Sequence, residues 1–212
     1  MKLKYIPLQH HINYLILTSS MKIKHYLSIL FLSLVAITVK AQNADAIYQQ
    51  AKALLEANEF TQAIPKLQAA ADMGHKKAQY WLGHCYDKGD GVDEDDNLAF
   101  QWYSKAAAQG HAKAQYQLGQ CYKKGEGVAK DYSKACEWYT KAAKQGNADA
   151  QYQLGKCYMK GRGVTADQAK AKSWLNKAIR NPKGGDKILA KLKREAAEGD
   201  EDAAAILRVL GR

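Results

Sequence analysis

Apolar positions recur along this chain with the period of a helix. Ala78, Leu82, Gly83 and Tyr86 fall at i, i+4, i+5 and i+8, one stripe of a first helix. Gly83 leaves room for a neighbouring helix to approach. Gly89 and Gly91 then end the helix and turn the chain, since glycine tolerates positive φ. Asp95 is placed to cap a second helix, whose stripe is Ala99, Trp102 and Ala106. Gly110 closes the unit. Runs of alternating valine, isoleucine and threonine are missing, so a sheet has little support.

The whole pattern returns twice at a spacing of 36 residues. Ala114-Gln-Tyr-Gln-Leu118-Gly119-Gln-Cys121-Tyr122 repeats Ala78-Gln-Tyr-Trp-Leu82-Gly83-His-Cys85-Tyr86, and Ala150 to Tyr158 repeats it again. The two-glycine turn recurs as Gly125 and Gly127, then as Gly161 and Gly163. The capping aspartate recurs as Asp131 and Asp167. Such a helix pair cannot bury its stripe alone and must stack on its neighbours. The spacing therefore predicts units over 76–111, 112–147 and 148–183. Residues 42–75 fit the same mould without the two-glycine turn. Ala51 and Leu54 mark their first helix, and Ala63, Leu67 and Ala70 mark the second. Pro65 is expected near the start of that second helix, where proline costs little. Residues 184–212 read as a degenerate capping repeat, with helices near 186–198 and 202–210.

The first 41 residues differ from the rest. They hold five lysines and no carboxylate. Lys22-Ile23-Lys24-His25 follows a second methionine, Met21. An apolar run from Tyr26 to Val39 comes next, and Val39 and Ala41 stand at −3 and −1 of a small-residue cleavage site before Gln42. Residues 21–41 thus read as a signal peptide and 1–20 as an upstream start-site extension, which places the protein in the periplasm or outside the cell. An uncleaved membrane anchor is the alternative, although the run is shorter than the roughly 20 residues a spanning helix needs. The full chain carries a net charge of +11, and without the leader it carries +6. That remainder favours solubility and some attraction to acidic surfaces.

The repeats closely resemble the Sel-one-like repeat (SLR), a relative of the tetratricopeptide repeat (TPR). The residues that carry the resemblance are A-x-Y-x-L-G-x-x-Y-x-x-G-x-G-V, then D-x-x-x-A-x-x-W-Y and A-A-x-x-G, over about residues 78–181. Residues 42–75 look more like a plain TPR unit. Leu175 replaces the usual tyrosine and Ile179 the second alanine in the third repeat. The resemblance implies an all-α fold, a right-handed superhelical solenoid of antiparallel helix pairs. Its concave face would bind a protein or peptide, as a non-enzymatic scaffold of the cell envelope. Some secreted, cysteine-rich relatives are associated with β-lactam or cell-wall binding, which makes an envelope enzyme or small-ligand binder the alternative function.

Catalytic patterns are almost absent after the leader. Ser104, Ser133 and Ser173 are the only serines after residue 41, and none begins S-x-x-K or sits in G-x-S-x-G. H-E-x-x-H and C-x-x-C do not occur. No cofactor, metal or catalytic residue is expected. His75 and His111 read as solvated turn residues. His84 beside Cys85 points away from it and makes a poor metal pair. The Gly-x-Gly turns follow a helix where a phosphate loop would follow a strand. A basic run from Lys177 to Arg194 reads as a solvated face, since an export signal places the chain away from nucleic acid.

Cys85, Cys121 and Cys157 share one repeat position, about 10 Å apart on stacked helices and too far to bridge. Cys121 with Cys136 is the pair that spacing favours, although buried free thiols are the main expectation. A TPR-like register aims Tyr80, Tyr116 and Tyr152 at the concave face. His84, Gln120 and Lys156 run beside them, then Asp87, Lys123 and Met159, and then Lys88, Lys124 and Lys160. The tyrosines either anchor a partner or mainly pack. The lysines favour an acidic segment of that partner.

Overall fold

The computed structural model describes residues 8–212, with side chains from residue 31 onward. The start of the expected upstream extension, residues 1–7, lies outside the described residues. So do the side chains through residue 30. The chain divides into two compact units, Met1–Asn43 and Ala44–Arg212. In the first unit, Phe31, Leu32, Leu34 and Ile37 are exposed apolar side chains. No helix among the described residues is long and apolar enough to cross a membrane.

Ten helices and no strand make up the described residues. Helix α1 is Leu8–Glu56, and only its part from Ala44 belongs to the second unit. There follow α2 (Phe60–Asp72), α3 (Lys76–Lys88), α4 (Asp96–Ala108), α5 (Ala112–Lys124), α6 (Tyr132–Lys144), α7 (Ala148–Lys160), α8 (Gln168–Ile179), α9 (Gly185–Ala197) and α10 (Glu201–Leu210). From α2 onward each helix packs on the next in sequence, so the second unit is an all-α repeat solenoid.

Local chemistry explains the boundaries. The Asp95, Asp131 and Asp167 carboxylates each accept the backbone N–H three residues on, at 2.9 Å, and so start α4, α6 and α8. Gly89, Gly125 and Gly161 end the first helices in the left-handed region, each donating to the carbonyl of the cysteine four residues back. Two expectations need correction. Pro65 lies inside α2, at its sixth residue, deeper than the first turn where a missing N–H is free of cost. His75 and His111 are not merely solvated: they cap α3 and α5, their Nδ1 atoms accepting from Ala78 and Ala114 N–H at 3.2 Å. Asn147 and Asp200 take the same role before α7 and α10.

The glycines at the middle of the first helices do admit a neighbour. A Cβ on Gly83 would meet the Tyr103 ring at 2.9 Å, and one on Gly119 would meet Tyr139 at 2.5 Å. On Gly155 it would meet Leu175 at 2.7 Å. Tyr103, Tyr139 and Leu175 are fully buried, whereas Trp138 and Trp174 are only partly so. Trp102 is buried with Ala99 and Ala106 as expected, and the stripe also takes in Tyr103 and, one repeat on, Tyr139 in place of the half-buried Trp138. The tryptophan rings lie under lysine ammonium groups, Lys105 and Lys141 at 3.7 Å and Lys177 at 4.3 Å. Leu82, Leu118 and Leu154 complete the core, each worth about 2 kcal/mol of burial.

A buried amide chain joins the repeats. Gln79, Gln115 and Gln151 are at most 7% exposed, so their amides need partners. Each Nε2 donates to the carbonyl eight residues back, Ala71, Ala107 or Ala143. Each Oε1 accepts an amide from the following helix, Gln109 at 2.8 Å, Gln145 at 2.7 Å or Asn181 at 3.0 Å. Gln109 and Asn181 also donate to the closing-glycine carbonyls of Gly74 and Gly146. The last three helices form a terminal cluster in which Ile188, Leu192, Ile206 and Leu210 cover Leu175 and Ile179 of α8.

Candidate functional site

One face of the second unit carries three pockets in a row, one at each junction between successive first helices. Their linings repeat the 36-residue spacing. Trp81, Gln117 and Gln153 occupy equivalent places, as do His84, Gln120 and Lys156, and Asp90, Glu126 and Arg162. Cavity volumes of about 270, 190 and 90 Å³ fall short of the roughly 300 Å³ at which small-molecule sites begin. They suit single side chains.

The pockets share a register but differ in chemistry. The first is lined by Leu55, Phe60 and Trp81 with His84, Asp90, Lys52 and Glu56. Lys52 and Glu56 pair at 3.2 Å. The His84 Nδ1 is 3.7 Å from Asp90, too long for a hydrogen bond, and burial pushes the imidazole below its ordinary pKa. The second pocket is charge-balanced. Lys124 pairs with Glu126 at 2.9 Å, and Lys88 lies 3.4 Å from Asp87. The buried Tyr103 hydroxyl donates to Asp87 at 3.1 Å.

The third pocket is basic. Lys123, Lys156, Lys160 and Arg162 line it with one carboxylate, Asp202, so three positive charges are left over. Asp202 is taken by Lys160. Lys123 is half-buried: desolvation lowers its pKa, and the neighbouring Lys156 lowers it further. Its one polar partner of note is the Gln153 amide oxygen at 3.3 Å. An anion entering this pocket would relieve that repulsion. The Cys157 thiol also opens into it.

The expected binding residues fall into two groups. His84 lies in the first pocket; Lys88, Tyr116, Gln120 and Lys124 in the second; Lys123, Lys156 and Lys160 in the third. Tyr80 and Tyr152 line none of the three. Tyr80 packs 4.8 Å from the His111 ring and 6.0 Å from Tyr103, and Tyr152 packs into the terminal cluster. All three ladder tyrosines are partly buried, and each packs against the cluster of the following unit. The sequence reading missed Tyr103 and Tyr139, whose hydroxyls reach pocket residues, and missed Asp90, Glu126 and Arg162. The turn residue between the two glycines was the available signal: it varies while everything around it repeats.

The cysteine expectation also changes. Cys136 does not face Cys121. Cys121 packs with Ala99 and Tyr103, toward the preceding second helix. Cys136 faces the following first helix: its Sγ donates at 3.1 Å to the Arg162 carbonyl, and the Arg162 N–H in turn donates to the Cys157 carbonyl. All four cysteines are free.

Known proteins share this architecture. A Sel1 repeat protein from Oxalobacter formigenes, known from its crystal structure, is 31% identical over 74% of this chain and 72% of that chain, with a TM-score of 0.61. The c5321 protein, a protective antigen present in uropathogenic Escherichia coli strains and displaying an SLR fold, is 32% identical with a TM-score of 0.65. That match covers 82% of this chain but 39% of the antigen. No curated protein matches the chain. Residues 76–111, 112–147 and 148–182 each match the Sel1 repeat; with the caps, glycines and stacked helix pairs described above, the chain belongs to the Sel1 repeat family.

Proposed function

We propose that this protein is an exported scaffold that seats a partner polypeptide along the row of three pockets, with an acidic side chain of the partner in the third. Sel1 repeat proteins generally serve as protein-interaction scaffolds, and the fold is generally non-enzymatic. The observation that carries the reading is the third pocket: three uncompensated cations at one junction, where the pocket one repeat earlier is charge-balanced. A lysine held partly out of water beside another lysine favours a carboxylate over water. Three side-chain-sized pockets at a fixed interval fit an extended segment better than one compact ligand.

The export half of the reading is supported by where burial begins. Phe31 and Ile37 are 65% and 64% exposed. Among the described side chains, Ala44, three residues after the expected cleavage point, is the first buried core residue.

A random peptide library panned on the immobilised protein tests the groove. Acidic peptides should be enriched, and K123A/K156A should lose them while its unfolding midpoint stays unchanged. Enrichment without acidic bias, or equal capture by the double variant, would overturn the assignment. Fusion of residues 1–45 to a phosphatase that is active only outside the cytoplasm tests export; a silent fusion would remove that half.

A further inference from the structure

Cys136 is the one cysteine on a second helix. It stands where the first two repeats carry Ile64 and Phe100, at the same 21-residue offset from a first-helix cysteine. At the first junction Ile64 packs against the cluster holding Cys85, and at the second Phe100 packs against the cluster holding Cys121. At the third, a thiol replaces the apolar side chain, so Cys136 meets Cys157 thiol to thiol.

The two thiols differ in surroundings. Cys136 is 2% exposed, and its Sγ donates at 3.1 Å to the carbonyl of Arg162, the residue whose N–H closes onto the Cys157 carbonyl. Cys157 is partly exposed and opens into the basic pocket beside Lys123, Lys156 and Arg162. The neighbouring Cys136 thiol, and then those cations, hold the Cys157 thiol below its ordinary pKa against the opposing effect of burial. Cys85 and Cys121 are the contrast: burial pushes them up to about 11 and about 12. A partly exposed, cation-flanked thiol with a buried second thiol beside it is the arrangement of an attacking and a resolving cysteine.

We propose that Cys157 and Cys136 form a thiol–disulfide exchange site that takes small anionic disulfides through the basic pocket. The Cys157 thiolate attacks one sulfur of the incoming disulfide. That S–S bond breaks, a mixed disulfide forms on Cys157, and the first small thiolate leaves. Cys136 then gives up its proton to solvent and attacks the Cys157 sulfur, and the second small thiolate leaves. Two protein thiols are oxidised to one disulfide, and one small disulfide is reduced to two thiols. The product clips α6 to α7 at the floor of the third pocket. The site stands whether or not a partner polypeptide binds above it.

Treating the reduced full-length protein with oxidised glutathione and mapping its peptides by mass spectrometry tests this. The map should show a crosslink between Cys136 and Cys157, with Cys85 and Cys121 alkylated only after unfolding. C136S should stop at a glutathione adduct on Cys157, and C157S should take up none. Cystamine, a cationic disulfide, should react several-fold more slowly than glutathione disulfide, and K156A should narrow that difference. The wild-type map alone decides the pairing, so a variant that misfolds does not rescue the idea. Four free thiols under conditions that oxidise a simple dithiol, a different pairing, or an adduct on Cys136 in C157S would overturn it.

Discussion

The packed interior and the row of pockets above it follow opposite rules. In the packed interior the same residues recur: Gly83, Gly119 and Gly155 under a ring or a leucine within each helix pair, and Gln79, Gln115 and Gln151 in the amide chain between units. Along the pockets the equivalent positions change character, from His84 to Gln120 to Lys156 and from Asp90 to Glu126 to Arg162. A position that must fit its neighbour has few solutions, so it repeats. A position that faces open space is free to differ, and difference is what recognition of one partner requires.

The sharpest way to break this contrast is to crowd the packed interior. Gly119→Val would drive a Cβ into the Tyr139 ring, which is fully buried. Denaturant unfolding should show a loss of about 3 kcal/mol, and an unchanged midpoint would mean that the close approach is not needed. Next in size is Gln115→Ala. It strands the Gln145 amide, while the Ala107 carbonyl keeps the Gly110 N–H, at a cost of about 2 kcal/mol in the same measurement. If the cost proves negligible, water replaces the amide chain and the seam is not held by it.

A smaller effect sharpens the comparison through pH. Burial first, and then Lys76 and Lys113, depress the His111 imidazole to about 4, below the ordinary histidine value near 6.5. The neutral ring is the one that caps α5, because Nδ1 must keep its lone pair for the Ala114 N–H. The unfolded chain therefore binds more protons between these values, and stability present above pH 6.5 should be lost as pH falls toward 4. His111→Asn, which supplies the cap found naturally at Asn147, should flatten the slope between pH 6.5 and 5. An unchanged slope would assign the pH dependence elsewhere.

Much of the fold was legible because its signals are local and repeated. The capping aspartates, the paired glycines of the turns and the mid-helix glycines each follow from residue type and spacing, and each is found where expected. What escaped depended on which neighbour a side chain faces. The choice between Trp138 and Tyr139 as the main core residue turns on one 100° step around the helix. Pairing Cys121 with Cys136 assumed that partners lie within one unit, whereas first-helix cysteines face the unit before. The offset was present in the sequence, as Ile64 to Cys85 and Phe100 to Cys121, but it acquires meaning only once the packing direction is known. The histidine caps were hidden because imidazole is a less familiar acceptor than aspartate at that position.

The amide chain also sets how such a protein can change length. Gln109 and Gln145 hold the same place on successive second helices, and Gln115 and Gln151 the same place on successive first helices. Any donor in that series can meet any acceptor. Excising residues 112–147 would leave the Gln79–Gln109 and Gln151–Asn181 pairs intact, set the Ala107 carbonyl eight residues before Gln151 and put His111 ahead of Ala148, a joint made of familiar parts. Cassettes can thus be gained or dropped without designing a new splice, and what varies with each is how many sites the row displays.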